Sequence, residues 1–97
     1  MTQNLRARRY FISGVVQGVG FRFFVDGVAR RLGVCGFVRN RRDERVEVYA
    51  IGSAENLSLL RLELERGPRA AEVDGVTEEA APLELQYANG FLIEDDL

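Results

Sequence analysis

Ninety-seven residues suit one compact domain spanning 1–97, since a domain typically takes roughly 100–200 residues, and 46% hydrophobic residues allow a single core. A net charge of −2 argues against broad electrostatic binding to nucleic acid, which needs a concentrated basic surface. With no histidine and one cysteine, the chain supplies no Ser-His triad, no phosphohistidine, no usual zinc site and no internal disulfide.

Arg6, Arg8 and Arg9 form a basic run that reads as a solvated, frayed end rather than a nucleic-acid arm. Residues 8–16 (RRYFISGVV) are rich in aromatic and β-branched side chains and predict a strand. After Gln17-Gly18-Val19-Gly20 the period changes. Phe21, Phe24, Val25, Val28, Ala29 and Leu32 then mark one face of a helix. Arg30 and Arg31 suit its last turn and Gly33 its C-terminal stop. Gly27 inside it costs about 1 kcal/mol relative to alanine, which points to close packing at that position. Val34–Arg39 and Val46–Ile51 predict strands joined by a polar hairpin at 40–45, and Cys35 between Val34 and Gly36 reads as a buried structural thiol.

Ser53 is a candidate N-cap for a helix over Ala54–Arg66, with Leu57, Leu60 and Leu64 on its inner face and Gly67-Pro68 stopping it. Ala71–Glu78 predicts a fourth strand and Phe91–Ile93 a short last one, with a further strand segment considered at Leu83–Tyr87. The order is βαββαβ, which places two helices on one face of an antiparallel sheet.

The turn at Gln17–Arg22 carries the chemistry. Glycines at 18 and 20 can adopt positive φ and bring backbone close to a ligand. The free N–H groups there and at the helix start can converge on an anion. Arg22 lies in the first helical turn, unfavourably placed against the helix dipole, and its planar fork suits phosphate oxygens. A purely structural turn, with Arg22 paired to Asp26 one helical turn on, accounts for the same residues.

The segment Gly14-Val15-Val16-Gln17-Gly18-Val19-Gly20-Phe21-Arg22 resembles the acylphosphatase signature G-x-V-Q-G-V-x-F-R, and Gly36-Phe37-Val38-Arg39-Asn40 resembles that family's second motif, G-[FW]-V-x-N. The resemblance covers residues from about 8 to 94 and includes Gly67-Pro68 and the Phe91-x-Ile93 ending. It implies an α+β ferredoxin-like sandwich that hydrolyses the carboxyl–phosphate bond of acyl phosphates without cofactor or metal. Arg22 would then be the phosphate-binding catalytic arginine, and Asn40 would orient the attacking water. Gln17, Gly18, Val19, Gly20 and Phe21 would cradle phosphate together with Arg22.

The partners expected are a small acyl-phosphate substrate and inorganic phosphate, with no nucleic acid and no membrane. A cytoplasmic monomer is the corresponding setting. Phe21 and Phe37 read as core residues, and Asp43 as a turn residue rather than a base. One departure concerns the hairpin, where Asp43-Glu44 stands for the family's common Asp-Gly. Another is Arg41, which stands where a hydroxyl or small residue is usual. The competing functions are a non-catalytic phosphate-binding regulatory module on the same fold and, more remotely, an RNA-binding ferredoxin-like domain. The latter lacks an evident aromatic stacking motif.

Overall fold

The computed structural model describes residues 4–97, so the first three residues of the expected 1–97 domain lie outside the described part. Strand β1 (Arg6–Val15) is followed by helix α1 (Phe21–Leu32), strands β2 (Cys35–Asn40) and β3 (Val46–Gly52), and helix α2 (Ala54–Arg66). Strands β4 (Glu72–Ala81) and β5 (Phe91–Ile93) complete the order. The sheet has the strand order β4-β1-β3-β2-β5, and both helices cover one face of it. This is the ferredoxin-like arrangement.

Period-two alternation decides what each strand gives to each face. Tyr10 and Ile12 of β1, Val38 of β2, and Val46, Val48 and Ala50 of β3 point into the core beneath the helices. Phe21, Val25, Val28 and Ala29 of α1 meet them, as do Leu57, Leu60 and Leu64 of α2. Ser53 caps α2 by accepting from the Asn56 N–H at 3.1 Å. Past the end of α1, the Gly33 and Val34 N–H groups donate back to the carbonyls of Arg30 and Ala29, which closes a Schellman turn. The opposite face carries a smaller cluster of Ala7, Phe37, Tyr49 and Ile51. Gly36 is required where β2 crosses close to β3, because a Cβ there would lie 1.9 Å from the Tyr49 carbonyl oxygen.

Several expectations are corrected. The sheet is mixed, because β5 pairs parallel with β2 while the other neighbours are antiparallel. Its chain arrives from β4 at the opposite edge, and Phe91 is buried in the core under α1. The run Arg6, Arg8 and Arg9 is strand rather than frayed end: Arg6 aligns with Gly52, Arg8 pairs with Glu78 and Arg9 with Glu47. β4 runs to Ala81, three residues beyond its expected end, because β1 templates it as far as the Ala7–Ala81 pair. Its charged residues suit an exposed edge.

Leu85–Tyr87 is a short 3₁₀ turn, not a strand. It seats Tyr87 against Phe37, ring centroids 5.0 Å apart. Gly27 is exposed and a Cβ there would meet open space, so the close packing expected at that position is absent. Cys35 is half-buried against the smaller cluster rather than fully buried.

Candidate active site

The loop between β1 and α1 is strung between two anchors in the core, Val16 and Phe21, exposed 1% and 2%. Between them Gly18 and Gly20 take φ of 74° and 79°, a left-handed conformation that side-chain-bearing residues rarely adopt. Gly20 is the residue before α1, so no side chain caps the helix, and its first turn contains no acidic residue. The first bond to the helix start runs from the Phe24 N–H to the Gly20 carbonyl at 3.1 Å. Among the described residues, the N–H groups of residues 18–23 reach no backbone acceptor. The positive end of the helix dipole and a set of free donors therefore coincide at this loop.

A small cavity of about 90 Å³ opens there, lined by Val16, Gly18, Gly20, Phe21, Arg22, Phe23 and Asn40. Asn40 comes from the far end of β2, where it pairs with Val46, and is only 8% exposed. The two sequence motifs thus converge on one concavity. Of the residues named from the sequence, Gly18, Gly20, Phe21, Arg22 and Asn40 line it. Phe21 and Phe37 also occupy the core positions expected of them, one under the helices and one on the opposite face.

Gln17 and Val19 contribute no lining surface. Val19 packs against the main core. The Gln17 side chain turns away to the β2–β3 hairpin, where its amide nitrogen donates to the carbonyls of Arg41 at 2.8 Å and Arg45 at 3.0 Å.

Arg22 does not pair with Asp26, which instead accepts from Arg30 at 3.0 Å one turn further along α1. Its partner is Asp96, at 3.1 Å from the Arg22 Nη1. Beyond β5 the chain continues beside β2, with the Glu94 N–H on the Val38 carbonyl and the Leu97 N–H on the Asn40 carbonyl. That path delivers Asp96 to the arginine. The helical spacing favoured Asp26, and nothing local to residue 96 signals this contact.

In the hairpin, Asp43 accepts from Arg45 through both its backbone N–H and its guanidinium. That side-chain hydrogen bond holds the Asp43 carboxyl below its ordinary range. It is a turn residue, as read from the sequence, and lies outside the cavity. Glu44 takes φ of 72°, where a left-handed residue other than glycine costs roughly 1–2 kcal/mol. Among the described residues, no carboxylate lines the cavity, although Asp96 contacts the lining residue Arg22. Among the described residues, no group of three or more histidine, cysteine, aspartate or glutamate side chains is arranged to hold a metal ion.

The profile of the acylphosphatase family matches residues 8–93. An acylphosphatase from Koribacter versatilis is 54% identical over 83 residues, covering 84% of this chain and 76% of that protein. The crystal structure of acylphosphatase from Bacillus subtilis superposes with a TM-score of 0.86 at 31% identity, covering 94% of this chain and 99% of that one. An acylphosphatase structure from Coxiella burnetii gives 0.88 at 33% identity, covering 97% and 100%.

Proposed function

The chain belongs to the acylphosphatase family, and on that premise we propose that it hydrolyses acyl phosphates at the cavity shared by Arg22 and Asn40. The observation that carries the reading is the convergence of an uncapped helix start, an arginine and a buried asparagine on one small concavity.

The phosphate seats on the free N–H groups of the loop and on Arg22, whose fork offers two parallel donors. Asn40 cannot act as a base near neutrality, but its carbonyl oxygen accepts a hydrogen bond from water and so orients it. Water attacks phosphorus, the bond from phosphorus to the bridging oxygen breaks, and the carboxylate leaves with that electron pair. Because the leaving group is already good, the protein needs mainly to position the reactants. It must also stabilise charge on the three non-bridging oxygens. The water's proton passes to a phosphate oxygen, so that the step needs no protein base.

Turnover of a simple acyl phosphate by the wild type, Arg22→Ala and Asn40→Ala tests the assignment. Each substitution is expected to reduce kcat/KM by at least about 100-fold, and inorganic phosphate to inhibit the wild type competitively. Undiminished turnover in either variant removes that residue from the mechanism. A folded but inactive wild type that still binds phosphate points to a non-catalytic binding module.

A further inference from the structure

We infer that the Gln17 side chain is a positioning residue that sets Asn40 against the phosphate loop. This inference rests on the acyl-phosphate reading above. The site is assembled from two pieces that the sheet joins only indirectly, through β3. The strand order β4-β1-β3-β2-β5 places β3 between β1, which leads into the loop, and β2, which ends in Asn40. Ile12 and Asn40 both align with Val46 of β3, but that is the last rung of the β1–β3 ladder. Among the described residues, the loop beyond it makes no backbone hydrogen bond to β2 or to the hairpin. Past that rung the alignment of loop and hairpin depends on side-chain contacts.

Gln17 spans that gap. Its main chain lies in the loop, one residue before the cavity-lining Gly18. Its amide nitrogen reaches the Arg41 and Arg45 carbonyls, which flank the turn of the hairpin. Arg41 follows Asn40 directly, and the Arg41 N–H to Arg45 carbonyl bond of 2.9 Å closes the hairpin at that level. A single amide group therefore grips both sides of the hairpin just beyond Asn40. The polarity is forced, because both acceptors are carbonyl oxygens and only the NH₂ end can face them. Glutamate, with the same shape, would set a carboxylate oxygen against two carbonyls.

Gln17 is not what makes the hairpin fold. Each of the two carbonyls keeps another donor, Glu44 N–H on Arg41 and Arg41 N–H on Arg45. On the far face the Arg41 and Arg45 guanidiniums lie over the Phe11 ring, at 5.4 and 4.5 Å from its centroid. Removing the Gln17 amide leaves these contacts intact and frees the hairpin only to shift relative to the loop. Misplacement of about 1 Å in a catalytic array costs on the order of 100-fold.

The test is the kinetics of Gln17→Ala and Gln17→Glu on a simple acyl phosphate, with the phosphate inhibition constant and melting temperature measured alongside. Turnover by the wild type and its loss in Asn40→Ala are established first. A failure at that stage falls on the functional reading, not on Gln17.

Gln17→Ala is expected to stay folded and to lose about 10- to 100-fold in kcat, with the phosphate inhibition constant within about twofold of wild type because the cradle donors are untouched. Gln17→Glu should lose at least as much. Added to Asn40→Ala, Gln17→Ala should cost less than about twofold more, since two residues acting through one contact are not additive. Unchanged kcat in both single variants overturns the inference. So does weakened phosphate binding at constant kcat, or a double variant showing the full product of the two losses.

Discussion

Arg22 illustrates how much a single residue's role depends on a partner far along the chain. In the first turn of α1 its charge opposes the helix dipole, and the favourable counterweight in the structure is Asp96, seventy-four residues away. That pair is exposed, Asp96 by 61%, and exposed ion pairs are worth about 0.2–1 kcal/mol. The aspartate oxygen meets the same guanidinium that the phosphate would use, so the two anions compete for it. Asp96→Asn is therefore expected to tighten competitive inhibition by inorganic phosphate by about two- to fivefold at low ionic strength. The gain should shrink in high salt. Turnover should survive the substitution, because no proton transfer is assigned to Asp96. An unchanged inhibition constant at low salt would show that the contact does not compete, and abolished turnover would give Asp96 a catalytic part.

At the scale of elements, α1 serves two demands at its two ends. The C-terminal end is finished conventionally, with Arg30 and Arg31 in the last turn and a Schellman closure. The N-terminal end is left without a side-chain cap, which costs helix stability but keeps its donors available. Gly27, by contrast, has no packing reason to be glycine. A methyl group there would meet open space and the site lies on the exposed side of the helix. Gly27→Ala is predicted to raise unfolding free energy by about 1 kcal/mol in denaturant titrations while leaving kcat unchanged. A destabilised variant would show that the helix surface is constrained in some other way. The β2–β3 hairpin shows the reverse balance. Glu44 holds a positive φ that glycine would adopt without strain, and the turn is held by Asp43, Arg45 and the Phe11 ring.

Across the whole molecule the sheet has two unlike faces. One is apolar and covered by both helices. The other carries Glu47, 1% exposed, enclosed by the guanidiniums of Arg9, Arg39 and Arg41. Arg9 lies in β1, Arg39 in β2 and Arg41 just past the end of β2, so the carboxylate on β3 cross-links three neighbouring strands. Burial pushes the Glu47 carboxyl up, but the hydrogen bonds from Arg39, Arg41 and Arg9 outweigh it and hold the group below its ordinary value. A depressed folded value means that the stabilisation is fully present above the unfolded value, about 4.5, and is lost as pH falls through the folded one. Glu47→Gln is expected to lower stability near neutrality by about 3 kcal/mol, leaving Arg9 and Arg39 without a carboxylate partner among the described residues and Arg41 with Asp43 alone. It should also flatten part of the acid limb below about pH 4.5. An acid limb identical in slope to wild type would remove Glu47 as a contributor.

The sequence by itself determined the parts whose causes are local. Both helices start and stop where their apolar period, the Ser53 cap and the glycines at 33 and 67 place them. The glycines at 18 and 20 were legible because a left-handed backbone selects that residue, and the two motifs ending at Arg22 and Asn40 were legible through their resemblance to a family's pattern. The tertiary structure alone decided what depends on distant pairing. β1 templated the length of β4, the crossing chain made β5 parallel, and Tyr87 sought the aromatic face instead of forming a strand. The Asp96 contact and the use of the Gln17 amide belong to the same class. Both bonds join residues far apart in sequence, where local propensity carries no trace of the partner and only the completed sheet brings donor and acceptor together.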